Sequence, residues 1–127
     1  MIKTLIFVAL GGAVGASGRY AVGVLATRLG SGQFPWGTFT VNVTGSFLLG
    51  VLAALMAFTW SPSSEFRAFL VVGVLGGFTT FSAFSLDVGL LIEKDRLLLA
   101  ALYLGGTVLL SIGGLLAGLK LTRMVLT

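Results

Sequence analysis

Residues 73–85 read Gly73-Val74-Leu75-Gly76-Gly77-Phe78-Thr79-Thr80-Phe81-Ser82-Ala83-Phe84-Ser85. They sit at the middle of an apolar run from about Phe66 to Ile92. A spanning helix takes ~20 mostly apolar residues, so the run is long enough to cross a bilayer. Its centre is nevertheless a poor helix, because each glycine costs ~1 kcal/mol relative to alanine. Two readings fit. Gly73-xxx-Gly77 is a small-residue packing face, or the helix is broken near the bilayer midplane. Backbone groups freed by a break cannot face lipid, so they need a partner such as an ion or another subunit. Beyond it, Phe81 and Phe84 share one face at i, i+3, with Ser82 and Ser85 beside them. An aromatic stripe at this spacing usually packs a core; two phenylalanines amid serines and threonines are less ordinary.

The rest of the chain has the same character. Of 127 residues, 57% are hydrophobic and 9% charged, and the mean hydropathy is +1.10. A soluble domain carries ~25% charged residues. Twelve charged side chains, 8 basic and 4 acidic, cannot cover a globular surface, and disordered chains are polar. The composition is that of a single integral membrane domain, residues 1–127. Three more spans flank the quoted segment, at about 4–27, 36–60 and 97–121. Trp36 and Trp60 bracket the second, as interface aromatics do. The turns are Leu29-Gly30-Ser31-Gly32-Gln33, Ser61-Pro62-Ser63-Ser64 and Glu93-Lys94-Asp95-Arg96. The first span resembles a signal peptide in having Lys3 and small residues at 13–16, but its apolar run continues past them.

The basic residues are scattered between apolar runs, which marks them as membrane-flanking charges rather than a nucleic-acid surface. An even number of spans puts both termini on one side. That side carries Lys3, Arg67, Lys120 and Arg123; the other carries Arg28, Lys94 and Arg96, with Arg19 inside a span. Four against three gives insertion little to decide with. Either a weak bias still sets one orientation, or copies insert both ways up. Inverted copies would supply the two-fold repeat that larger transporters encode in one chain.

Polar residues inside spans are functional candidates by default. Asn42 and Ser46 share a face at i, i+4. Asn42 serves either as interhelical glue or as an amide donor to a passing anion. Arg19, ~6 Å past the middle of its span, either snorkels or pairs with carbonyls at a helix end, or else draws anions inward. Asp87 is the one carboxylate well inside a span, yet lies ~12 Å from that span's middle. Tyr103, Thr107 and Ser111 form a hydroxyl stripe at i, i+4, i+8. Gly11-xxx-Gly15, Gly12-xxx-Ala16 and Gly114-xxx-Gly118 are further close-approach spacings.

The chain has no cysteine and no histidine, which removes disulfides, thiol chemistry, Cys/His metal sites and histidine proton relays. With no nucleophile–base pair and only short loops, the chain is not expected to be an enzyme. Transport is the better class. Asn42, Ser82, Ser85, Tyr103, Thr107 and Ser111 are neutral donors, and phenyl edges are weakly positive, which favours a small anion passing Phe81 and Phe84 edge-on. The main alternative is a small proton-coupled multidrug exporter, which needs a midplane carboxylate; the first span has none and Asp87 stands too near the interface. A non-transporting membrane assembly subunit is the third class.

The residues also carry a resemblance. Gly-Gly-Ala-Val-Gly-Ala-Ser-Gly-Arg-Tyr at 11–20, Trp-Gly-Thr-Phe-Thr-Val-Asn-Val-Thr-Gly-Ser-Phe at 36–47 and Gly-Gly-Phe-Thr-Thr-Phe-Ser-Ala-Phe-Ser at 76–85 resemble the Fluc (CrcB) family of fluoride channels. They cover three of the four spans; the fourth matches through Tyr103 and its hydroxyls. The resemblance implies an all-α membrane protein with four transmembrane helices, the third broken near the midplane. It implies an antiparallel dual-topology homodimer with two pores, in the cytoplasmic (inner) membrane. Passive, selective F⁻ export that lowers intracellular fluoride follows, with a structural sodium ion at the dimer interface. Carried over by motif, Phe81 and Phe84 are the pore-lining phenyl pair and Asn42 the pore amide. Tyr103, Thr107 and Ser111 fall on the polar track, and the Gly76 and Thr79 carbonyls face sodium. Ala83 stands where many relatives are expected to carry a hydroxyl.

If both orientations insert, cysteines added at the termini will be labelled from both sides of the membrane. Labelling from one side alone in a functional dimer would contradict dual topology.

Overall fold

A computed structural model describes residues 1–30 and 32–127; Ser31 of the first turn lies outside them. The described residues form helices and no strand. The elements are α1 (Ile2–Arg28), α2 (Trp36–Phe58), α3 (Ser64–Ala68), α4 (Gly76–Phe78), α5 (Phe81–Glu93) and α6 (Leu97–Leu126). Between α3 and α4 the chain winds as a π-helix over Phe69–Leu75. Counting 64–93 as one interrupted run, four helices are long and apolar enough to cross a membrane, and the chain is a multi-pass membrane protein. The last helix continues beyond residue 121 to Leu126. At 1.5 Å per residue it rises about 45 Å, more than the ~30 Å hydrocarbon core. Its extra turn carries Arg123, whose guanidinium lies 5.8 Å from the centre of the Phe58 ring.

The ends follow from local chemistry. Ser63 opens α3 by accepting a hydrogen bond from the Phe66 amide at 3.2 Å, as a serine N-cap does. The α5–α6 turn closes through Asp95 at φ 57°, with the Arg96 amide bonded to the Leu91 carbonyl at 2.9 Å. Phe34, in the loop before α2, wedges between Trp36, Phe39 and Tyr103, its ring 4.4, 5.5 and 5.3 Å from theirs. That wedge ties the start of α2 to α6.

Glycine pairs set the helix spacing. Gly11 and Gly15 on α1 face the backbone of the interrupted run: a methyl group at Gly11 would overlap the Phe69 carbonyl, and one at Gly15 the Val74 carbonyl. From the other side, a methyl group at Gly73 would come within 2.8 Å of the Gly11 Cα, and one at Gly77 within 2.9 Å of the Gly12 carbonyl oxygen. Gly11-xxx-Gly15 and Gly73-xxx-Gly77 are thus two halves of one contact within the chain. Gly118 and Gly50 do the same between α6 and α2, against the Phe47 and Leu115 carbonyls. Lipid offers no hydrophobic drive for helix association, so close backbone packing must supply it.

Gly15→Ala should lower stability by about 1–3 kcal/mol, the usual penalty for overpacking, read as a lower thermal midpoint in detergent. Gly113→Ala, where a methyl group meets nothing within 4 Å, should hold or raise it. Equal midpoints for Gly15→Ala and the parent would contradict the close α1 contact.

Candidate functional site: a helix break and the cavity beside it

The run from Ser64 to Glu93 leaves helical geometry at two residues. Thr79 has φ −86° and ψ 157°, and Thr80 has φ −153° and ψ 123°. Gly73-xxx-Gly77 packing and helix interruption, alternatives in the sequence, therefore coexist. The interruption also begins earlier than the glycines suggest, in the wide π-helical turns from Phe69. Such turns are frequent at functional positions.

Extended residues break the i→i−4 ladder, and the freed groups are met one by one. The Thr79 amide still reaches the Leu75 carbonyl at 3.0 Å. The next amide, Thr80, donates instead to Asn42 Oδ1 at 2.7 Å. Asn42 Nδ2 in turn donates to the Thr80 carbonyl at 3.0 Å. The Asn42 carboxamide thus pairs with both backbone groups of one residue, as a neighbouring strand would. Arg19 Nε donates to the Gly77 carbonyl at 3.0 Å, which places this arginine in its carbonyl-pairing role. Thr80 Oγ1 accepts from the Ala83 amide at 3.0 Å and so caps α5. Among the described residues the Gly76 and Thr79 carbonyls receive no donor.

Gly45 makes the junction possible. A side chain there would collide with the Thr79 methyl and press on the Phe78 ring, so glycine lets α2 carry Asn42 this close without displacing either.

Beside the junction lies a cavity of about 380 Å³ lined by Asn42, Ser46, Thr79, Thr80, Phe81, Phe84, Thr107, Val108, Ser111 and Ile112. None of these side chains is charged. The Phe81 and Phe84 ring centres are 5.6 Å apart at 59°. Phe84 is buried, whereas Phe81 is 76% exposed and stands at the cavity's open side. On the α6 wall, Thr107 Oγ1 and Ser111 Oγ are buried without a hydrogen-bond partner among the described residues. Buried hydroxyls are ordinarily paired, so two orphans in one cavity call for an acceptor from outside the described residues of this chain.

The structure brings together Asn42, Phe81, Phe84, Thr107 and Ser111 of the residues expected from sequence, but places two elsewhere. Ser82 is exposed, its hydroxyl 3.3 Å from Thr80 Oγ1. Tyr103 is fully buried behind Phe84, 5.1 Å between ring centres. Its hydroxyl donates to Asp87 Oδ2 at 2.9 Å, which splits it from the Thr107–Ser111 pair. Ser46, Thr79 and Thr80 join the cavity wall. For Ser46 the i, i+4 spacing from Asn42 was the signal; Thr79 and Thr80 stood out only as part of the glycine–threonine cluster at the weak centre of the run, and that they line the cavity follows from the break itself.

A family model described as CrcB-like protein, Camphor Resistance (CrcB), matches residues 6–119. The fluoride-specific ion channel FluC of Rhodospirillum centenum is 58% identical over 123 residues, 96% of this chain and 97% of that protein. The proteins of the same name from Agrobacterium fabrum and Nitrobacter winogradskyi are 53% identical over 116 residues and 48% over 121. They cover 91% and 95% of this chain, and 93% and 96% of their own lengths. With a match along nearly its whole length, this chain belongs to the CrcB family.

Proposed function

We propose that the protein is a fluoride-selective channel of the cytoplasmic membrane, passing F⁻ passively outward and lowering its intracellular concentration. The observation that carries this is the uncharged cavity with two orphaned buried hydroxyls against a phenyl pair. A small anion gives up its water only where donors replace it. Thr107 and Ser111 offer O–H groups; Asn42, with its oxygen and one N–H engaged by Thr80, has one N–H left to offer. Phe81 and Phe84 add positively polarised ring edges. None of these holds an ion as a fixed cation would, which suits conduction, where binding must be weak enough to release. The names of the relatives support fluoride as the ion.

The cavity is open where Phe81 is exposed, and a second, inverted copy of the chain would close it. This assembly fits the near-even distribution of basic residues. In it, the unpartnered Gly76 and Thr79 carbonyls of each chain would give four neutral oxygens. Such donors fit a monovalent cation better than Ca²⁺, which is usually held by carboxylates. A sodium ion there would neutralise carbonyl dipoles that lipid cannot, and lock the two breaks together. Tyr103 then supports Phe84 from behind, held in turn by Asp87.

Fluoride efflux from liposomes, read with a fluoride electrode beside chloride and a drug-like cation, tests the reading. F⁻ alone should pass. Phe81→Ile or Phe84→Ile should cut F⁻ flux by about tenfold or more, equivalent to ~1.4 kcal/mol of barrier, with the dimer intact. If the rings only pack, the same variants should cost ~1–2 kcal/mol of stability and leave flux near the parent's.

Replacing sodium with a bulky organic cation throughout purification should weaken the dimer and abolish flux, and restoring sodium should recover both. Undiminished assembly and flux without sodium would contradict the cation site.

A further inference from the structure

Threonine and serine hydroxyls within helices commonly bond back to the carbonyl four residues earlier. In this chain Thr27 and Thr44 do so within helices, at 3.0 and 2.6 Å, and Thr59, Thr79 and Thr127 do so at helix C-caps, at 3.3, 2.9 and 2.8 Å. Ser46 does not. It lies in the interior of α2, its side chain lines the cavity, and its hydroxyl has no hydrogen-bond partner among the described residues. It stands one helical turn from Asn42, whose amide is largely spent on Thr80. The same cavity is lined on α6 by Thr107 and Ser111, whose buried hydroxyls have no hydrogen-bond partner among the described residues.

We infer that Ser46 is an ion-coordinating residue: its hydroxyl donates to the dehydrated anion from the α2 wall, completing a ring of donors with Thr107 and Ser111. This rests on the fluoride-channel reading and divides the labour on α2. Asn42 mainly holds the helix break; Ser46 mainly meets the ion. A hydroxyl that moves freely between donor directions can follow an ion along the cavity, which the Thr80-locked amide cannot do.

The test is F⁻ efflux from liposomes containing equal amounts of the full chain, over a series of NaF concentrations. Ser46→Ala removes one hydrogen bond to a charged partner and should lower F⁻ flux about ten- to a hundredfold, with the concentration for half-maximal flux shifted upward. Ser46→Thr, which keeps the hydroxyl, should restore most of the flux. Thr44→Ala, which loses an exposed hydroxyl already bonded to the Thr40 carbonyl, should match the parent. A merely structural serine would give equal thermal losses for alanine and threonine and no shift in half-maximal concentration. Parent-like flux and half-maximal concentration in Ser46→Ala, with F⁻ passing in the parent, would overturn the role of Ser46 alone. Absence of F⁻ flux in the parent would overturn the channel reading and this inference with it.

Discussion

A helix interrupted inside a membrane releases backbone donors and acceptors that lipid cannot satisfy. The Thr79–Thr80 junction is organised by this demand. Its groups go to Asn42 on α2, to Arg19 on α1 and to the cap that Thr80 supplies to α5. Each partner arrives by a close helix contact. Gly11 and Gly15 bring α1 against the run that carries Gly73 and Gly77, and Gly45 lets α2 approach Thr79. Packing and polar satisfaction are therefore one constraint, and a side chain added at any of these glycines disturbs both. Two carbonyls, Gly76 and Thr79, receive no donor among the described residues, and they are the ones the proposed inverted copy and cation would need.

The same junction builds the cavity. Turning the chain through Thr79 and Thr80 restarts α5 with Phe81 and Phe84 on the side of Thr107 and Ser111. The wall that results is polar without being charged. For a channel this is a sound compromise: neutral hydroxyls and ring edges can replace water around a small anion, while a lysine or arginine in their place would retain it. Arg19, the one basic residue well inside a span, is turned to a structural carbonyl instead. Asp87 is likewise engaged by Tyr103, so neither charge stands in the cavity wall.

Much of this was legible in the sequence. Apolar length marked the four runs, and the density of glycine and threonine at 73–80 marked the weak centre of the third. Spacing placed Phe81 with Phe84 and Thr107 with Ser111, because each pair lies within one helix, where periodicity fixes the face. What stayed hidden depended on contacts between helices. Asn42 looked equally suited to glue and to donor, and only its distance to Thr80, 38 positions away, decided that most of its amide is committed. Tyr103 shares the stripe of Thr107 by spacing, yet Asp87, 16 positions earlier, draws its hydroxyl aside. The π-helical turns at Phe69–Leu75 had no periodic signature either; they appear where the run lies against Gly11 and Gly15.

The cavity and the proposed assembly both depend on the Thr79–Thr80 junction. Its most direct test is an experimental structure of the assembled protein, purified in sodium and fluoride. The account predicts extended Thr79 and Thr80, the Asn42 carboxamide bonded to both backbone groups of Thr80, and ion density shared by the Gly76 and Thr79 carbonyls of two inverted chains. A continuous helix from Ser64 to Glu93, with Asn42 turned away from Thr80, would contradict it.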